Sequence, residues 1–469
     1  MRKAKKLPAC TDAGNAEFFA QINRDDLRYD HRRRRWMVWR GHWWAEDTDG
    51  QAQSWAKNTA RMRAEGALRI TDEDERAKQM AWALKSESHS KLEAMLRLAQ
   101  SERPLADSGT EWDSDPWLLG VANGVIDLRT GILQEGRPGD RITLRSQINF
   151  DPLAQAPRWI QFLGEIFGGD ESMIDYVQRA IGYSLTGDTR EQCLFVDYGA
   201  GANGKSTFVD TLLFVLGGYG YNLPFSALEL KAKASIPNDV AAIVGRRFIT
   251  SIETNEGAAL NEARIKALTG GDPITARFLY SEFFTFIPVA KFWLAVNHLP
   301  AIGDDSHGFW RRPRVIPFLQ KFAGDSLDPQ LAEKLRAEAA GILAWAVRGC
   351  LKWQKDGLGI PQTVRMATDE YRTENDPLDD FLTERCVLHP SAHIVAAALW
   401  EEYQLWAADN AERPLDRRAF TCRLQSRGLR KLRQGHDRTW TWIGICREHD
   451  AAGQHIPLPV QPERADADV

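Results

Sequence analysis

Gly199-Ala200-Gly201-Ala202-Asn203-Gly204-Lys205-Ser206-Thr207 is the stretch that decides the fold. Two glycines five residues apart, followed by Lys and a hydroxyl residue, form a phosphate-binding loop. Glycine lets main-chain N–H groups wrap an anion without Cβ clashes. In such a loop Lys205 reaches the β- and γ-phosphates of a nucleotide, and the Ser206 hydroxyl holds Mg²⁺. The surroundings agree. Cys193-Leu194-Phe195-Val196 reads as a buried strand entering the loop. Phe208, Val209, Leu212 and Leu213 give the helix that leaves it an apolar face, with its positive end on the anion.

A loop of this kind needs an acid on a second strand to order Mg²⁺ and the attacking water. Phe248–Ile252 supplies the strand and Glu253 the acid, placed where ligands bind an open α/β sheet; Glu256 is the second choice. A third apolar run, Lys291–Val296, ends in Asn297, whose amide suits the positioning of water against a γ-phosphate. Arg311 and Arg312 follow on a short loop. One of them suits an arginine finger reaching a neighbouring subunit, and the sequence does not choose between them. Between the acid and the amide, two β-rich runs flank a turn near Ser281. In a ring motor such a hairpin projects into the channel, with Arg277 on phosphates and Tyr280 and Phe283 stacking on bases.

Working outward, short β-branched and aromatic runs at 192–198, 247–252 and 291–297 alternate with helical stretches at 205–215 and 259–269. That alternation predicts a mostly parallel sheet with helices packed on it. Residues 1–110 read as a Trp-rich helical and hairpin domain. Its hairpin lies around Gly41, after the run Arg32–Arg35, and helical periodicity fills 53–100. Residues 104–116 read as an irregular connection. Asn123-Gly124 marks another hairpin, and 157–187 two helices, within a collar region at 111–189. The motor core is placed at 190–330, a closing helix at 330–357 within a segment 331–376, a compact helical domain ending in a hairpin at 377–446, and a disordered tail at 447–469.

Composition bounds the partners. A formal net charge of −4 over 469 residues excludes a uniformly basic coat, so any nucleic-acid surface is local. The six cysteines lack a C-x-x-C pair, which argues against zinc and for reduced thiols. No stretch approaches the roughly 18–20 apolar residues of a membrane span, and a soluble, cytoplasmic protein is expected.

The ordered motifs resemble a known family. The loop, Ile-Glu-Thr-Asn-Glu-Gly at 252–257, Lys266–Arg277, Ala-Val-Asn-His-Leu-Pro at 295–300 and Phe309–Arg312 look like the superfamily 3 helicase part of phage and plasmid primase–helicases, related to the poxvirus primase-helicase. Residues 11–16 and 26–29 look like that family's domain before the motor. Leu399, Trp400, Tyr403, Trp406, Phe420 and Leu424 look like its C-terminal winged-helix-like domain, rich here in arginine. The resemblance implies an α/β, AAA+-like P-loop NTPase core with an α-rich N-terminal domain. It implies ATP and Mg²⁺ as cofactors, a homo-oligomer (usually a hexamer), and 3′→5′ movement on single-stranded DNA at forked duplexes. Because the similarity starts at the pre-motor domain, unwinding without priming is expected, with a separate primase or initiator as partner. A packaging translocase and a non-hydrolysing initiation scaffold are the alternatives.

Overall fold

The computed structural model describes residues 7–230, 238–252, 259–277, 282–303, 306–324, 327–375, 378–410, 414–434 and 438–454. The chain divides into two compact units: Met1–Pro300 with Arg312–Arg365, and Ala301–Arg311 with Met366–Val469.

The first unit is built on a five-stranded sheet whose strands are numbered here in chain order: β1 Leu194–Tyr198, β2 Gly220–Asn222, β3 Phe248–Ile252, β4 Lys291–Val296 and β5 Pro313–Pro317. Their spatial order is β5-β1-β4-β3-β2, and every pairing is parallel. A parallel sheet covered on both faces needs strands apolar throughout, and all six residues of β4 are buried. The edge strands β2 and β5 are absent from the sequence reading. One has three residues and the other is bounded by prolines, so neither carries a periodic signal.

Aromatic packing ties helices to this sheet. Trp293 of β4 stacks on Phe195 of β1 at 4.2 Å between ring centroids. On the helix Lys205–Leu216, Phe208 stacks against Trp159 of the helix Pro157–Ile166 at 5.8 Å, and Trp345 meets Trp159 edge-on. Trp159, Trp293 and Trp345 thus fill space between this sheet and its helices. The segment expected to form one helix at 330–357 is two, Leu331–Ala337 and Ala339–Asp356. They part at Glu338, whose carboxylate accepts from the backbone N–H groups of Arg158 and Trp159 at 3.0 Å each. It thereby satisfies the open N-terminal donors of the helix Pro157–Ile166.

Towards the N-terminus, Trp44–Glu46, Arg35–Trp39, Leu27–Asp30 and Ala106–Asp107 form a small sheet, beside helices Gln51–Ala67, Glu73–Ser86 and His89–Ala99. The stretch 104–116 is therefore partly a strand, pairing in parallel with Tyr29 and Asp30. A two-residue pairing so distant in sequence leaves no local pattern to read. The Asn123-Gly124 hairpin forms as expected and gains a third strand, Ile132–Gln134.

The second unit runs helix Asp379–Arg385, strand Cys386–Val395, helices Ala396–Asp409 and Arg417–Ser426, then strands Arg430–Gln434 and Thr439–Arg447. The strand Thr439–Arg447 lies between the other two, antiparallel to both. Its core gathers Phe381, Tyr403, Trp406, Phe420 and Trp442. The sequence reading missed the strand Cys386–Val395, which is interrupted by Pro390 and a register shift between Leu388 and His393. Beyond 447, Glu448–Ala451 is helical, and residues after 454 lie outside the described ones. Among the described residues no helix is long and apolar enough to cross a membrane.

Candidate functional site

The phosphate-loop motif connects β1 to the helix Lys205–Leu216. Gly204 precedes that helix at φ +87°, a left-handed conformation that favours glycine. A Cβ there would meet Ile166 Cγ2 at 2.6 Å, so the loop also needs glycine to sit against its neighbouring helix. Gly204 offers no side-chain cap, and the first helical N–H groups stay available to an anion.

Lys205 is buried although its neighbours Gly201, Ala202 and Ser206 are exposed. Its ammonium donates to the Gly199 carbonyl, and at 3.2 Å each to the side-chain oxygens of Asn203 and Asn297. Burial lowers the lysine pKa, and nearby Asp197 opposes that shift. Asp197 lies on β1, fully buried, with neither carboxylate oxygen hydrogen-bonded. Burial pushes its carboxyl well above the usual range, and Lys205 pulls it partly back. Nothing in the sequence pattern singled out this acid.

Asn297 follows β4 directly, and β4 pairs with β1 through Val296 and Tyr198. The parallel register therefore delivers the amide beside the loop lysine, 92 residues away in sequence. After β5, Phe318 and Phe322 clasp the loop. The Phe318 carbonyl accepts from Asn203 Nδ2 at 3.2 Å, and the Phe322 N–H donates to the Ala202 carbonyl at 2.8 Å.

A cavity of about 510 Å³ opens at this end of the sheet. One side is the loop, Gly201 to Thr207, with Asn297. The facing side is Arg158, Phe162 and Glu165, together with Phe322, Asp328 and Leu331. That volume is in the range of small-ligand sites. The second side went unrecognised in the sequence, since it draws on a helix before the loop and a segment after β5. The Arg158 guanidinium holds Glu165 at 3.1 Å, leaving a charged pair at the rim.

The other site residues are placed as follows. Glu253, Glu256 and Tyr280 lie outside the described residues; β3 runs up to Ile252, beside Ala295 of β4. The runs around Ser281 pair as a hairpin, Ile274–Ala276 with Phe284–Phe286. On it the half-buried Arg277 sits 5.0 Å over the ring of Phe283, which is 55% exposed. Arg312 is buried and donates to Thr269 Oγ1 at 2.9 Å, whereas Arg311 is exposed.

Residues 16–168 match the family described as D5 N terminal like, and residues 198–312 match a family of unknown function. A helicase-named protein of Acanthamoeba polyphaga mimivirus is 33% identical over 59% of this chain and 31% of that protein. These matches support a protein similar to the superfamily 3 primase–helicases. A helicase-named protein of Frog virus 3 is 23% identical over 64% of this chain and 39% of its own length. A primase-named protein of African swine fever virus is 26% identical over 60% and 32%. The chain thus spans about a third of the length of these curated relatives. The apo structure of the NrS-1 C-terminal region aligns over 92% of this chain and 99% of that one, with 8% identity and a TM-score of 0.49.

Proposed function

We propose that this chain is the motor of an ATP-dependent DNA helicase acting in replication of a phage, prophage, plasmid or related DNA element. The observation that carries the reading is the contact of Lys205 with Asn297 at the mouth of the cavity. A buried ammonium whose partners are a carbonyl and two amide oxygens can exchange them for phosphate. The strand order β5-β1-β4-β3-β2 supports an AAA+-like P-loop core, because one strand separates the loop strand from the strand that leads to Glu253.

In this reading Gly199–Thr207 and the helix N-terminus bind the ATP phosphates, and Lys205 neutralises charge on the transferred group. Ser206 and Glu253 hold Mg²⁺, which supplies further charge neutralisation. Glu253 also polarises the attacking water, and Asn297 orients it. A finger acting on a neighbouring subunit must stand clear of its own core, so the exposed Arg311 is assigned that role and the buried Arg312 a structural one. Arg277, Tyr280 and Phe283 grip the single strand, in a homo-oligomer expected to be a hexamer moving 3′→5′ in the cytoplasm. The helix–strand–helix–helix–hairpin order of the second unit fits a winged-helix-like DNA-binding domain. Helicase names among the viral relatives favour unwinding over a packaging translocase or a non-hydrolysing scaffold.

Forked duplexes carrying one single-stranded tail test this. ATP-dependent separation of forks with a 3′ tail, but not of forks with a 5′ tail, is the expected result. Hydrolysis without separation of either fork would favour the translocase.

A further inference from the structure

The hairpin Arg430–Gln434 and Thr439–Arg447 carries a ladder of cations and indoles that the motor does not use. Register places Lys431 opposite Trp442 and Arg433 opposite Trp440, all on one face of the hairpin. Trp442 is buried in the core of its unit, but Trp440, two residues nearer the turn, is 47% exposed. The Arg433 guanidinium lies 4.9 Å from the Trp440 ring centre, and Lys431 Nζ lies 5.8 Å from it. Arg430, Arg433 and Arg438 are exposed. Between Arg427 and Trp442 the sequence holds four Arg and Lys and a single carboxylate residue, Asp437, in a chain whose net charge is −4.

An indole held beyond its core, flanked by a guanidinium and an ammonium, is the arrangement that single-stranded nucleic acid uses: bases stack on the ring while cations follow the phosphates. A polyanionic partner follows from the local charge. A duplex keeps its bases stacked on each other and offers none to the ring. We propose that this hairpin binds single-stranded DNA, stacking a base on Trp440 and holding phosphates with Arg433 and Arg438. The site is separate from the nucleotide cavity and does not depend on hydrolysis.

The test uses the full chain without nucleotide, in parallel with Lys205→Ala, so that failure of the hydrolysis reading leaves this measurement standing. Anisotropy with a labelled oligothymidylate and an equally long blunt duplex should show Trp440→Ala weakening single-strand binding about tenfold and sparing the duplex. Trp440→Phe, which keeps a ring, should retain affinity to within about threefold. Arg433→Ala should reduce the slope of log affinity against log salt by about 0.7. A 5-iododeoxyuridine strand should photo-crosslink to the peptide bearing Trp440. Unchanged single-strand affinity in Trp440→Ala, equal losses on both DNAs, or crosslinks confined to other peptides would overturn the proposal.

Discussion

The two ends of the central sheet each bury a lysine, and they use it in opposite ways. At the open end Lys205 faces a cavity, and two of its three partners are side-chain amides. At the closed end Lys291, the first residue of β4, donates to the main-chain carbonyls of Thr186, Asp188 and Val289. Beside it Arg247 donates to the carbonyls of Leu185, Asp115 and Leu118. Burial lowers the pKa of both lysines, so a perturbed lysine does not by itself mark a site. What separates them is whether the partners can be exchanged for a ligand. Lys291 completes the hydrogen bonding of chain segments that cannot leave, whereas two of the three partners of Lys205 are side chains that can.

The largest expected effect lies at the open end. Lys205→Ala should lower steady-state ATP hydrolysis about a thousandfold, while the thermal midpoint stays within about 2 °C of wild type, roughly the shift of a 1 kcal/mol change. Asn297→Ala should lose about a hundredfold in turnover through misplacement of the reacting groups, again without unfolding. The closed end should reverse the pattern. Lys291→Met leaves buried carbonyls unpaired and should cost about 2 kcal/mol in denaturant unfolding. The comparison breaks if Lys291→Met is as stable as wild type, or if Lys205→Ala is the less stable of the two.

A smaller effect concerns Asp197, whose folded-state pKa is raised by burial. Above the unfolded carboxyl pKa the unfolded chain has released this proton and the folded chain retains it. The group's contribution to stability therefore falls as pH rises. Asp197→Asn should accordingly gain stability over wild type, and gain more near pH 8 than near pH 4. A gain that does not grow with pH would contradict the assignment. The smallest effect is chemical. Burial pushes the Cys193 thiol, at the closed end, up to about 12. Maleimide should spare it in the folded protein while labelling the exposed Cys422.

The sequence disclosed the open end in proportion to how contiguous each part is. Nine consecutive residues build the loop, and their glycines state the backbone geometry outright. Asn297 could be placed because a six-residue apolar run ends on it. The facing wall, from Arg158 to Glu165 and from Phe322 to Leu331, reaches the cavity only through tertiary packing, and its apolar residues look like ordinary core. Asp197 was hidden for a similar reason, since one acid within a strand signals nothing until its burial is known. Arg311 and Arg312, equivalent as neighbours in sequence, part company only in their exposure. The edge strands β2 and β5 needed the whole sheet to be recognised.

Phosphate release from ATP, measured with and without single-stranded DNA for wild type and Lys205→Ala, tests the central claim most directly. The wild-type chain should hydrolyse ATP faster when DNA is added, and Lys205→Ala should fall to background in both conditions while remaining folded. Equal turnover by the two proteins would contradict the assignment of Gly199–Thr207 as the site that drives the motor.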